Sequence, residues 1–539
     1  PEAQAALGIN VGEVEPAQLL SAILAAPVDL LWFGGIGTYV KAAAQNNADV
    51  GDPTNDRIRI DAEWVQAKVI GEGANLGTTQ AARIAFALRG GRINTDFIDN
   101  SAGVDCSDNE VNIKIALNAE MRVGRLAEEP RNALLASMTD DVAALVLEDN
   151  RLQALGLSIA ERGGSAALPS LLRLIERFEV EGRLDRAVEG LAPNEDYLRR
   201  AQDGHGLTRP ELAVILSTAK LAIQAAAEES GLGTDALMDD ELLAAFPPAM
   251  QEAHRDAILG HQLRNEIVAT KVANRLVNRM GLIHPFELAE EEGVGMADVA
   301  EAFVVAERLF DVGALWSTID RAKIDERARI HLYGQVAAEL RAHMADLIRH
   351  GVPERTLATC VADLGPGIAL LDQASTRLLR GEGREQLEAF IARLIGVGAD
   401  EKLAKAVANL AALDGAVGIV ALAGRRGIDP LSVTRAFVML GQATGLDWAQ
   451  ATAMQLTPSD PWERLLVAGL ARDFQQMRLD TIGRQPGADA EAAIAAWLDK
   501  HGARVTQFRT FIDRARAMPM PSPAMLAQLA GQGRTLLAR

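Results

Sequence analysis

The spacing of apolar residues changes character near Ser107. Upstream, short continuous apolar runs alternate with helical spacing and with loops rich in glycine and asparagine. Downstream, apolar residues recur at helical intervals almost without a break. Pro16 suits the first turn of a helix running to Ala26, and Pro27 stops it. Val28–Phe33 (VDLLWF) is a continuous apolar run, as in a parallel strand buried on both faces. Gly34, Gly35 and Gly37 follow at once. Residues 46–61 are polar and predict a loop. Lys68–Ile70 predicts a second strand that ends at Gly71–Gly73. Thr79–Arg89 has helical spacing, with Gly90 and Gly91 capping it. Arg92–Ile98 predicts a third short strand. Each strand runs into a Gly- or Asn-rich loop, where a doubly wound sheet places its ligand contacts.

Ser107-Asp108-Asn109-Glu110 has the form of a capping box opening a helix of about four to five turns. From there almost no strand pattern is found. Thr208-Arg209-Pro210-Glu211 is a second capping box, with proline in the first turn. A long helix is predicted over His254–Met280, closed by Gly281. Further helices are predicted over 166–182, 296–310, 324–350, 384–397, 401–412, 430–443, 460–480, 488–500 and 503–517. The connections carry Pro247-Pro248, Gly293, Gly351, Gly365-Pro366, Asp429-Pro430, Pro519 and Pro521. No strict repeat period is present, which speaks against a regular solenoid. The predicted fold class is α/β, part of a doubly wound Rossmann-like sheet, followed by a large mainly α-helical domain.

Composition agrees. With 539 residues, the chain has material for roughly three to four domains. It is 49% hydrophobic but only 4% aromatic, a balance that favours packed helices over β-sandwiches. The net charge of −19 argues against a nucleic-acid or anionic-membrane partner. Two cysteines, Cys106 and Cys360, are too few for a disulfide framework. No apolar run is long enough to span a bilayer, and no basic-plus-apolar leader follows Pro1. The expectation is a soluble cytoplasmic protein. A first residue other than Met suggests a fragment of a larger polypeptide.

Gly71-Glu72-Gly73-Ala74-Asn75-Leu76-Gly77 follows a strand and precedes a helix. Its third glycine falls one residue late for a dinucleotide fingerprint, so on spacing alone a generic strand-to-helix turn explains it equally well. Asn100-Ser101-Ala102-Gly103-Val104 reads by itself as an Asx-turn between strand and helix. Ser107 is a good N-cap with Glu110 at N3. Asp52-Pro53-Thr54-Asn55-Asp56 with Glu63 has calcium-loop offsets. Arg57 stands where that loop needs glycine, so calcium is rejected. His254, His261 and Glu266 do not form a zinc motif, and no metal is expected. Cys106 adjoins these loops, either as a small buried hydrophobe or as a reactive thiol.

Over residues 28–118, these segments resemble the glutamate dehydrogenase superfamily, and best the long-chain bacterial NAD-specific glutamate dehydrogenases. The resemblance lies in Glu72-Gly73-Ala74-Asn75, in Asn100–Val104 against the family's Asn-Ala-Gly-Gly-Val, and in Gly34-Gly35-Ile36-Gly37-Thr38-Tyr39-Val40-Lys41. It extends more loosely through the helical part, including His261–Asn274, which is expected to serve packing and buried polar pairing.

It implies NAD as cofactor, with Asn75 and Asn100 as amides near the nicotinamide and Gly34, Gly35 and Gly73 allowing close approach. It implies that Ser107 hydrogen-bonds the distal carboxylate of L-glutamate, which is compatible with a capping role. Ser101 and Ala102 depart from the family's Ala-Gly. No segment matches the family's catalytic Lys or Asp, or its pyrophosphate fingerprint; these are expected upstream.

The resemblance thus implies a C-terminal portion: 1–106 as the end of the NAD-binding domain, 107–165 as a return helix and connection, and 166–539 as a helical domain. The implied partners are L-glutamate/2-oxoglutarate, the N-terminal remainder of the same polypeptide, and further copies in a homo-oligomer. By itself the chain is expected to be inactive. Two other readings stay open, a helical scaffold or regulatory module and a Rossmann oxidoreductase acting on another amino acid.

Overall fold

A computed structural model describes residues 2–8, 12–379, 382–456, 458 and 460–538. The apolar run after Pro27 forms strand β1 (Leu30–Phe33), and Val69–Glu72 forms β4. These two lie side by side in parallel, with Leu31 opposite Ile70 and Phe33 opposite Glu72. Between them β2 (Val40–Lys41) and β3 (Ile60–Asp61) make a second parallel pair. Bridges Val40–Thr78 and Val69–Arg92 extend the two pairs.

The sequence predicts part of a doubly wound sheet. Of that sheet, the described residues show two two-stranded parallel ladders, within a mainly helical chain. The segment 46–61 is not one loop: Asn46 caps a short helix Asn47–Val50 through a bond from Asp49 N–H, and Ile60–Asp61 joins a ladder.

Leu24, Phe33, Val40, Ile60, Ile70, Ala82, Phe86 and Ile93 form the core of this region. The helix Gln80–Leu88 covers one side and starts at Thr79, whose hydroxyl accepts from Ala82 N–H. The opposite side of β1 is open: Leu30 is 54% and Trp32 58% exposed. A parallel strand is ordinarily covered on both faces.

The predicted third strand is overturned. Only Arg92 pairs, after which the chain turns into a short helix, Asp96–Asp99. The reason lies in two carboxylates. Asp99 accepts Glu72 N–H at 3.0 Å, and Asp96 accepts Leu76 N–H at 2.8 Å, so the segment faces the neighbouring loop with side chains rather than with a ladder edge.

The predicted cap at Ser107 is also overturned. The helix runs over Ser101–Arg122 and begins seven residues earlier, after Asn100. Ser107 lies within it, exposed, with its hydroxyl donating to Gly103 O at 3.3 Å. Cys106 is exposed too, which removes the buried-hydrophobe reading.

Compactness divides the chain at Phe286. In the first unit the helices Ser101–Arg122, Thr139–Arg162, Arg209–Ser230 and Arg264–Met280 pack together beside the strands. The capping box at Thr208 is present, and Glu211 accepts Thr208 N–H at 2.7 Å. His254–Met280 is not one helix: it breaks at residues 260–263 between Arg255–Leu259 and Arg264–Met280. The buried His261 ring sits at the break, bonded to Asn112 O at 3.1 Å and to Leu263 N–H at 3.0 Å. Gly281 closes the second helix with φ +81°.

The second unit, Glu287–Arg539, contains helices throughout and no strand among the described residues. Two predicted helices merge into one, Ala490–Arg516. Gly365-Pro366 is not a connection. Pro366 lies inside the helix Leu357–Leu378, and a Cβ at Gly367 would stand 2.5 Å from Val420, so glycine lets this helix approach Ala416–Arg426. No single helix among the described residues is long and apolar enough to cross a membrane.

Candidate functional site

β1 and β4 deliver two loops to the same carboxyl end, Gly34–Gly37 and Gly73–Gly77. The second loop is held from within. Glu72 is fully buried, and its carboxylate takes Arg83 Nε at 2.7 Å, Arg83 Nη2 at 2.9 Å and Thr78 N–H at 3.1 Å. Arg83 also reaches Asp96 at 3.2 Å. A bidentate buried pair of this kind fixes geometry strongly, because losing either member strands a charge. Leu76 adopts φ +62°, unusual for a branched residue, while its N–H is held by Asp96.

The short helix Asp96–Asp99 therefore ties down the loop that carries Asn75, and Asn100 follows it directly. Asn100 Nδ2 donates to Asn75 Oδ1 at 2.7 Å. Both side chains sit at the solvent boundary of this junction, so the two candidate amides form one pair.

The glycines divide into two groups. A Cβ at Gly73 would stand 2.4 Å from the Trp32 indole, and one at Gly71 would stand 2.5 Å from it. Their smallness is needed by Trp32, whatever else binds here. Gly37 has φ +128°, which an L side chain rarely adopts. Gly34 and Gly35 meet no such demand: the nearest atom to a Cβ at Gly34 is 4.0 Å away, and none lies within 4 Å at Gly35.

Ser107 lies further along the Ser101 helix, away from any bond to the asparagine pair among the described residues. One residue before Cys106, burial and the Asp149 carboxylate push Asp105 up to about 6. The calcium-like segment is engaged internally: Asp52 accepts Thr38 N–H at 2.8 Å and Asn55 Nδ2 at 2.7 Å.

His261–Asn274 takes part in polar pairing, as expected from its resemblance to the family's segment. Arg264 donates to Gly233 O at 2.6 Å, Asn265 accepts Gly233 N–H at 3.0 Å, and Lys271 pairs with Asp149 at 2.6 Å.

Sequence reasoning missed Trp32, Asp96, Asp99 and Arg83. One signal was available: charged residues placed amid strand ends and apolar helix faces often mark buried pairs.

Residues 204–532 match the family model described as glutamate dehydrogenase, C-terminal, and the chain belongs to that family. Residues 1–160 match the model for the catalytic domain of bacterial NAD-glutamate dehydrogenase.

Among curated proteins, the chain is 38% identical over 534 residues to the NAD-specific glutamate dehydrogenase of Pseudomonas aeruginosa, covering 98% of this chain and 33% of that protein. It is 35% identical over 520 residues to the protein of the same name from Halomonas elongata, covering 95% and 32%. It is 34% identical over 561 residues to that from Mycobacterium tuberculosis, covering 99% and 34%. The chain thus spans about a third of the length of the curated relatives it matches.

Proposed function

We propose that this chain forms the nicotinamide-side part of an NAD-dependent glutamate dehydrogenase. The reaction is oxidative deamination of L-glutamate with water to 2-oxoglutarate and ammonium, the water supplying the keto oxygen, and NAD, when bound, accepts the hydride. The observation that carries this reading is the bond between Asn100 and Asn75 at the end of β4. A carboxamide presents one donor group and one acceptor. With that bond made, the pair still offers the Asn75 amide as donor and Asn100 Oδ1 as acceptor, so it fits the nicotinamide carboxamide.

In this reading Asn75 and Asn100 orient the ring, Gly34 and Gly35 leave room for the cofactor, and Gly73 contributes by seating Trp32. The exposed Ser107 hydroxyl binds the distal carboxylate of the substrate. The Lys and Asp that carry the chemistry lie outside this chain, in an N-terminal remainder of the same cytoplasmic polypeptide, which assembles as a homo-oligomer. Residues 1–106 complete a Rossmann-like domain with that remainder, 107–165 lead out of it, and 166–539 form the helical domain. The uncovered face of β1 at Leu30 and Trp32 supports a sheet that continues against further segments. Family membership favours this reading over a scaffold or a different oxidoreductase.

The test compares the long polypeptide with residues 1–539 alone. NADH formation from L-glutamate is expected from the first and not from the second. A long polypeptide that turns over another amino acid in preference, or needs no NAD, would refute the proposal.

A further inference from the structure

We propose that Asn150 is a positioning residue for the asparagine pair and acts through the Ser101 hydroxyl. The inference rests on reading Asn75 and Asn100 as nicotinamide-facing. Asn150 belongs to the helix Thr139–Arg162. Its Nδ2 donates to Ile98 O at 2.9 Å and to Ser101 Oγ at 2.8 Å. These acceptors flank Asp99 and Asn100, so one amide spends both its protons on the two sides of the segment that carries Asn100. Asn100 is the hinge between two helices, with φ −97° and ψ 18°, and no strand ladder fixes it.

The same short helix also fixes the other asparagine. Glu72 N–H and Leu76 N–H straddle Asn75 and donate to Asp99 and Asp96. Asp96–Asn100 is therefore one body that places both amides, and Asn150 reaches it from outside the strand-and-loop region.

The helix bearing Asn150 is itself anchored. Asp149 pairs with Lys271 at 2.6 Å, and Gln153 accepts from the buried Lys220 at 2.9 Å. Tilting Asn150 away would break these partly buried contacts to two further helices. The arrangement also gives Ser101 a reason. Where the family pattern resembled by Asn100–Val104 has alanine, the serine hydroxyl supplies the second acceptor. Lys271, within His261–Asn274, becomes part of the same support.

The test uses the full-length polypeptide that contains this chain, with Asn150→Ala, Asn150→Asp, Ser101→Ala and the double variant Asn150→Ala/Ser101→Ala. The measurements are NADH affinity by fluorescence titration, amide exchange over residues 96–104 by mass spectrometry, and thermal unfolding. Both Asn150 variants should weaken NADH binding about tenfold and speed exchange over that segment. Ser101→Ala should give a smaller loss, and adding it to Asn150→Ala should give no further loss, because the two groups share one interaction.

A lower melting temperature with unchanged NADH affinity would overturn the proposal in favour of a purely structural role. If Asn150→Ala does not fold, Ser101→Ala alone decides, and unchanged affinity there overturns it. If Asn75→Ala and Asn100→Ala themselves leave NADH affinity unchanged, the reading of the site falls and this inference with it. If those weaken binding while the Asn150 variants do not, only this inference falls.

Discussion

Asn75 and Asn100 lie 25 residues apart and meet side chain to side chain at 2.7 Å. Each comes from a loop whose own sequence reads as an ordinary turn. Asp96 and Asp99 bring them together by taking backbone N–H groups from the Asn75 loop.

In the full-length polypeptide, Asn75→Ala should weaken use of NAD, because one hydrogen bond to the carboxamide and the bond to Asn100 are lost together. The expected cost is about 1–3 kcal/mol. Steady-state kinetics should show the Michaelis constant for NAD rising, with that for L-glutamate little changed. An unchanged constant for NAD would remove Asn75 from the site.

Ser107→Ala should leave stability within about 0.5 kcal/mol, since the residue is exposed inside a helix and alanine is the better helix former. A cap at this position would have cost roughly 1 kcal/mol. A rise in the Michaelis constant for L-glutamate at unchanged melting temperature is therefore the expected signature of substrate contact. No rise would leave Ser107 without a role in binding.

Glu72→Ala should destabilise the first unit by about 3–5 kcal/mol, because it leaves the buried Arg83 guanidinium without its bidentate partner. Urea unfolding followed by circular dichroism reads this directly. A loss below 1 kcal/mol, on the order of an exposed pair, would show that Asp96 alone suffices for Arg83.

Gly73→Ala should displace the Trp32 indole, since the added Cβ would stand 2.4 Å from the ring. Overpacking in a filled core costs about 1–3 kcal/mol; with Trp32 58% exposed and free to turn outward, the loss should lie at or below the lower end of that range. Trp32→Ala in the same chain should recover part of the loss. If the double variant is no more stable than Gly73→Ala, the glycine is required for another reason.

Lys220→Met should stabilise the chain in a pH-dependent way. Burial pushes the Lys220 ammonium down to about 7 from its ordinary 10.5, against the pull of the Asp149 carboxylate. Between these values the unfolded chain binds more protons than the folded one, so wild-type stability rises with pH across that window. Below it the full cost of the buried charge remains. The gain from Lys220→Met should therefore be largest below about pH 7, on the order of 1–4 kcal/mol, and shrink toward about pH 10. Urea midpoints at the two ends of the window check the sign; a gain independent of pH would contradict it.

What the sequence by itself determined is the part governed by neighbours along the chain. Helical spacing located about half the helices of the second unit to within a few residues, as at 401–412 and 430–443, and missed others such as Leu357–Leu378 and Ala416–Arg426. Local chemistry marked the Thr208 box and the Gly281 stop, because a cap or a positive φ is settled within one turn. The motifs around Asn75 and Asn100 were legible as a family resemblance.

Tertiary structure decided the rest. Arg92–Ile98 has the composition of a strand, yet Asp96 and Asp99 turn it into a helix, because their partners are backbone groups on another loop. Ser107 has every local feature of a cap, yet the helix starts at Ser101, where Asn150 from a distant helix holds the junction. Gly73 reads as a cofactor glycine, and the Trp32 indole from the neighbouring strand leaves no room for a Cβ there. In each case the deciding contact joins residues far apart in sequence, and no periodicity or spacing within one segment encodes such a contact.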